Sequence, residues 1–213
     1  MLIYAVIKYL VFDLDNTLYS CRYGLEDNVS RRIREFTAAF LGVSSEEAWR
    51  RRQANMKQYG TCIEWLMTEE GLSDTERYLA AIHPEGEADI LPADDELRAF
   101  LSSVPVPKAI LTNSPREHAD LILGKLGISD LFTHIFDIRT CNFIGKPRPE
   151  VFNHVLNSLK LNADEVLFID DNPFYVEKFI AMGGNGLVFD ENDIHQNHKL
   201  PRIRELKELT RFI

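Results

Sequence analysis

Cysteine is scarce in this chain, basic charge is in deficit, and no apolar run is long enough to cross a bilayer. Each shortage removes a class of function. Cys21, Cys62 and Cys141 are the only cysteines, and without a CxxC pair they suggest neither a zinc knuckle nor a disulfide framework. A reducing compartment is the expectation. Lys and Arg number 24 against 33 Asp and Glu, for a net charge of -9. That balance opposes binding to a nucleic-acid polymer or to an anionic membrane, because both need basic surface. An anionic substrate is still allowed, since a bound divalent cation reverses the local field. The apolar stretch from Met1 to Phe12 has no basic leader, is too short to span a membrane and runs into two carboxylates. It reads as a buried strand, and the cytoplasm is the expected location.

What remains is an ordinary globular composition, 45% hydrophobic and 27% charged over 213 residues, enough for one core with a modest insertion. Five short apolar runs are candidate buried strands: Tyr9 to Asp13, Lys108 to Thr112, His134 to Phe136, Val166 to Asp170 and Gly186 to Phe189. Between them, Pro115 to Leu126 and Pro149 to Leu159 carry apolar residues at helical spacing, the first stopping at Gly127 and the second starting on a proline. Strands alternating with helices imply an α/β fold, a parallel sheet covered on both faces. The stretch from Tyr19 to Pro92 breaks the alternation. It shows helical periodicity through Val29, Ile33, Phe36 and Phe40, an N-cap pattern at Ser44 to Glu47, and further helices around Ile63 to Met67 and Thr75 to Ile82. The expected division is a catalytic core of residues 1–18 and 93–213 with a helical cap over 19–92, and Pro84 to Pro92 is the best linker candidate.

In open parallel sheets, ligands bind beyond the carboxyl ends of the strands. The polar residues ending these runs form one chemical set: Asp13 and Asp15, then Thr112-Asn113-Ser114, then Asp170-Asp171, with Lys146 in the loop before the Pro149 helix. Carboxylates, a hydroxyl and a lysine suit phosphoryl transfer assisted by magnesium, which takes oxygen ligands. Asp13 would attack phosphorus, and Asp15 would protonate the leaving oxygen and later deprotonate water. Asp15 must then begin protonated. A second carboxylate about 4 Å away, costing on the order of 4 kcal/mol at an effective dielectric of 20, is expected to raise its pKa. Lys146 and Thr112 would hold the phosphate. Each piece also has a plain structural reading. Asp-x-Asp-x-Thr can be a turn, Thr112 to Pro115 a helix cap, Lys146 a solvated loop lysine, and Asp170 to Pro173 a turn and cap. Their conjunction, in order at strand ends, favours phosphotransfer.

The four pieces resemble the four motifs of the haloacid dehalogenase (HAD) superfamily, spanning Asp13 to Asp171. That resemblance implies a Rossmann-like core with an inserted helical cap. It also implies Asp13 as nucleophile and Mg2+ ligand, Asp15 as acid/base and ligand through its carbonyl, Asp170 as the other metal carboxylate supported by Asp171, Thr112 and Asn113 as phosphate binders, and Lys146 as the third motif. Asp15 disfavours the dehalogenases themselves, which lack the second aspartate. A closer similarity is to the pyrimidine 5′-nucleotidase-like branch, through Asp13 to Tyr19, Gly24, the segment Lys57-Gln58-Tyr59-Gly60-Thr61, and Phe168 to Asn172. Ser20 and Tyr175 depart from it, standing where proline and asparagine are usual. A nucleoside 5′-monophosphate is the first substrate this implies, with a sugar-phosphate phosphatase or phosphomutase, or an idle phospho-ligand-binding module, as alternatives. Tyr59 and Tyr19 are candidates for contacting the leaving group, with cap packing as the other reading for Tyr59. Arg22 is a further candidate. His83 reads as a surface histidine, and metal binding by His195 and His198 is disfavoured by the lack of a third ligand.

Overall fold

The computed structural model describes residues 6–56 and 58–213; Met1 to Ala5 of the expected first strand and Lys57 of the cap segment lie outside them. The first strand, β1 (Tyr9–Phe12), is followed by helices α1 (Leu25–Leu41), α2 (Ser45–Asn55), α3 (Cys62–Glu69), α4 (Thr75–Ile82) and α5 (Asp95–Ser103) before β2 (Lys108–Leu111). Then come α6 (Arg116–Leu126), β3 (His134–Phe136), α7 (Pro149–Leu159), β4 (Val166–Asp170), α8 (Pro173–Ala181), β5 (Asn185–Phe189) and β6 (Arg202–Ile203). All six strands pair in parallel, in the order β3-β2-β1-β4-β5-β6. The chain moves outward from β1 to β3 on one side and resumes at β4 on the other. The order therefore reverses between β1 and β4, which opens a crevice at their carboxyl ends.

Alternation along the strands separates two cores. Leu10, Phe12, Ile110, Leu167 and Ile169 face α6, whose Ala119, Ile122 and Leu123 complete that layer. Val11, Ala109, Leu111, Phe168 and Val188 face the other way, against Val151, Phe152 and Val155 of α7 and Val176 and Phe179 of α8. A third cluster, Trp65, Leu66, Leu72, Tyr78, Leu79 and Ile82, belongs to the helices between β1 and β2. Ile138, just past β3, joins it and ties the inserted helices to the sheet.

Three elements were not expected from periodicity. Strand β6 is two residues long, too short for an apolar run to mark. Helix α8 begins where Asp170 to Pro173 reads as a turn and cap; the Asn172 side chain accepts from Phe174 N, so the cap forms as read and a helix follows it. Helix α5 is capped by Asp94 and buries only Leu101 fully. Pro84 to Pro92 is not a loose linker, because Ala88 and Leu91 are packed into the first core.

Candidate active site

Parallel pairing sets the centre of the site. Phe12 lies beside Ile169, and Asp13 N donates to Ile169 O (2.8 Å), so Asp13 and Asp170 leave adjacent strand ends on either side of the crevice. Lys146 Nζ fills the space between them, donating to Asp13 Oδ1 (2.5 Å) and Asp170 Oδ2 (2.7 Å). The hydroxyl of Thr17 donates to Asp13 Oδ2 (3.1 Å). Lys146 is 1% exposed, so the solvated-loop reading does not hold. Its ammonium also lies 5.6 Å from the Phe168 ring centre and 5.4 Å from that of Tyr175, within reach of a cation–π attraction. Asn113 grips its backbone from both sides: Oδ1 accepts from Lys146 N (2.7 Å) and Nδ2 donates to Lys146 O (3.3 Å). Asn113 thus orients the lysine. Thr112 is buried, lines the same cavity and accepts from Ser114 N (3.0 Å), but it does not cap α6; Asp137, past β3, receives Arg116 N instead (3.0 Å).

Carboxylate oxygens of Asp13, Asp170 and Asp171 lie within 4.8 Å of one another. Burial pushes the pKa of Asp13 up, with Asp170 and Asp15 adding to the rise and Lys146 opposing it; burial likewise raises Asp171, followed by the charges of Asp13 and Asp170. Burial is the main cause, and the excess of negative charge from three carboxylates sharing one ammonium adds to it. A divalent cation would offset that excess, and an all-oxygen donor set suits magnesium. The residues present therefore fit the ion.

Asp15 behaves differently from expectation. Its Oδ1 accepts from Tyr19 OH (2.6 Å) and is bonded to His118 Nε2 (2.7 Å), while Oδ2 accepts from Ser114 Oγ (3.1 Å). Burial alone would raise its pKa, but the His118 charge and the bonds from His118 and Tyr19 hold it below the usual carboxylate range. The repulsion expected from Asp13 is outweighed because Asp15 turns toward these donors. His118 in turn bonds through Nδ1 to Glu87 Oε1 (2.5 Å), which also meets His83 Nδ1 (2.9 Å), and Arg32 donates to Glu87 Oε2 (2.9 Å). Against the lowering effect of burial, Asp15 and Glu87 raise the His118 pKa to about 10.

A cavity of about 480 Å3 opens over these groups. Its floor includes Asp13, Asp15, Thr112, Asn113, Lys146, Asp170 and Asp171; its walls include Val29, Ile33, Ile63, Leu79 and Ile82 from the inserted helices, with Glu26 and Arg52. His83 lines it too, with a side chain only 6% exposed, and so is not a surface histidine. His195 reaches the rim of the cavity from the segment after β5. Three candidates fall outside it. Tyr59 packs in the insertion's own core with its hydroxyl on Glu69, Tyr19 spends its hydroxyl on Asp15, and Arg22 is exposed beside Glu191. Tyr59 occupies the cap-packing position, and its neighbour Gly60 is the residue that meets Gly145 of the lysine loop. Periodicity held one trace of His118, on the buried face of α6 with Ala119 and Ile122; nothing in the sequence marked Glu87.

Residues 7–182 match the family model of haloacid dehalogenase-like hydrolases. The chain belongs to that family. Among curated relatives of this HAD-like hydrolase, Phosphate metabolism protein 8 of Saccharomyces cerevisiae is 28% identical over 90% of this chain and 67% of its own length. A phosphoglycolate phosphatase of Pectobacterium atrosepticum is 28% identical over 84% of this chain and 78% of its own. The solved L-2-haloacid dehalogenase of Xanthobacter autotrophicus superposes with a TM-score of 0.61 at 17% identity, covering 97% of this chain and 99% of that one. That similarity speaks for the fold. No helix among the described residues is long and apolar enough to cross a membrane.

Proposed function

We propose that this HAD-like hydrolase is a magnesium-dependent phosphomonoesterase acting on small phosphorylated metabolites, with nucleoside 5′-monophosphates, pyrimidine first, as the class to test. Residues 19–92 would act as the cap, and the three free cysteines suit a reducing cytoplasm. The observation that carries the reading is the buried Asp13–Lys146–Asp170 arrangement at the β1/β4 crevice. An Asp13 oxygen would attack phosphorus while the bond to the leaving oxygen breaks, and that oxygen takes a proton from Asp15. Water then attacks the aspartyl-phosphate, gives its proton to Asp15, and the phosphorus–Asp13 bond breaks to release phosphate. Because Asp15 is held ionised, its proton for the first step has a nearby source in the His118 ring bonded to Oδ1. Lys146, Thr112 and Asn113 would orient the phosphoryl oxygens. Asp13, Asp170, Asp171 and the Asp15 carbonyl would hold the cation, which when bound supplies charge neutralisation to the phosphoryl group.

The cavity volume falls in the range of pockets that enclose a drug-sized ligand, which suits a nucleotide with its base against the apolar cap wall. A second reading, a phosphatase for sugar phosphates or other smaller metabolites or a mutase of that class, is favoured by the relatives named for phosphoglycolate. A magnesium-dependent phosphate-release screen over nucleotides, sugar phosphates and short phospho-acids separates them. In the same screen Asp13→Asn should lose at least about a thousandfold in rate, as removal of a nucleophile does; equal release by both proteins would rule out Asp13.

A further inference from the structure

Beyond the proton it can pass to Asp15, His118 is among the most tightly held side chains of the site. Its side chain has 0% exposure, and each ring nitrogen meets a different carboxylate, Nε2 to Asp15 Oδ1 (2.7 Å) and Nδ1 to Glu87 Oε1 (2.5 Å). Glu87, 1% exposed, is itself fixed by Arg32 and His83. The His83 ring lies 4.4 Å from that of His118, centre to centre. The other two donors to Asp15, Ser114 and Tyr19, are hydroxyls whose protons can swing to other acceptors. The imidazole cannot turn without breaking a bond to Glu87. Its helix, α6, is anchored in the first core by Ala119, Ile122 and Leu123.

Ligand atoms of His83, Glu87 and His118 lie within 4.8 Å of one another, but they are already used. Both Glu87 oxygens and both His118 nitrogens have protein partners. The cluster is therefore a brace rather than a vacant metal site.

We propose that His118, backed by Glu87, is a positioning residue that aims the Asp15 carboxyl at the leaving oxygen of the substrate. The inference rests on the phosphomonoesterase reading and deepens it: the brace matters most for substrates whose leaving group must be protonated as it departs. An alkoxide needs that proton, whereas p-nitrophenolate leaves without one, so the two esters separate aim from general damage. Misplacement of a general acid forfeits part of a contribution usually worth about 10²–10⁴-fold.

The test measures kcat/KM, which reports the first displacement, for glycerol phosphate and p-nitrophenyl phosphate with magnesium in wild type, His118→Asn and His118→Gln. Asparagine keeps a group where Nδ1 meets Glu87 and deletes the donor to Asp15; glutamine places a nitrogen near Nε2. For His118→Asn the alkyl ester should lose about tenfold or more relative to the aryl ester, and His118→Gln should recover most of that ratio. Comparing two substrates within one sample makes the readout independent of the folded fraction. Equal losses on both esters, or a gain with the alkyl ester, would overturn the positioning role. A nucleoside 5′-monophosphate, also an alkyl ester, replaces glycerol phosphate if the latter is not turned over; if wild type releases phosphate from none of the three, the phosphomonoesterase reading falls and this inference with it.

Discussion

At the scale of single residues, the site is organised by which carboxylate gets which cation. Asp13 and Asp170 share Lys146, while Asp15 is held by His118. Two acids two residues apart thus acquire opposite pKa tendencies, one raised by burial and one lowered by its imidazolium partner. The His118 network has a consequence for stability. The folded state binds the His118 proton more tightly than the unfolded chain, whose ordinary value is 6.5, so its contribution is full below pH 6.5 and is lost as the pH rises through about 10. Glu87 runs the other way. Burial would raise it, but bonds from His118 and His83 bring it to about 2, so its contribution is full above 4.5 and is lost as the pH falls through about 2. The stability advantage of wild type over His118→Asn, measured by urea unfolding, should therefore be largest near pH 5–6 and shrink steadily toward pH 10. A gap that stays constant across that range would show that folding leaves the His118 pKa unchanged, and one that grows as the pH rises through 6.5 would show that the imidazole is neutral in the fold.

At the scale of elements, the segment Gln58 to Thr61 joins the inserted helices to the loop that carries Lys146. Thr61 caps α3 by accepting from Glu64 N (3.2 Å), and Glu64 reaches back to Gly60 N (2.8 Å), a pattern close to a capping box. Arg148 donates to Gln58 O (3.0 Å) across the junction. Gly60 packs against the backbone of Gly145, where an added Cβ would stand 2.4 Å from the Gly145 carbonyl oxygen. Backbone cannot move aside as a side chain can. Gly60→Ala should consequently cost about 1–3 kcal/mol of stability, typical of overpacking. It should also lower phosphate release, because the displaced residue is next to Lys146. Thermal melting together with the rate checks both halves; a variant that melts and works like wild type would show that the two segments are not in close contact.

At the scale of the whole molecule, strand order matters more than any one side chain. At the β1/β4 reversal the strand order changes direction and a crevice opens at the carboxyl ends, and this chain places a carboxylate at each of the two strands. The resulting negative excess links metal binding to folding. With magnesium at ten times its dissociation constant, binding to the folded state alone is worth about 1.4 kcal/mol, or roughly 3–6 °C in Tm for a chain of this size. Asp170→Asn should lose that increment, and chelation should stop phosphate release by wild type. An unchanged Tm in wild type on adding magnesium would argue against the three-aspartate site.

Local sequence was sufficient for what depends on neighbours along the chain. Alternating and helical periods marked five of the six strands and the helices α1 to α4, α6 and α7, because burial of one face imposes a period that a single segment displays. The order of Asp13, Thr112, Lys146 and Asp170 at strand ends was visible for the same reason. What the sequence left open required distant segments to meet. His118 and Glu87 are 31 residues apart, and they lie 103 and 72 residues from Asp15, so no local pattern could show that Asp15 faces an imidazole rather than Asp13. Charge interactions depend on distance through space and on burial, and the fold alone supplies both. The chain by itself determined which groups end the strands; the tertiary structure decided which of them carry charge and where they point.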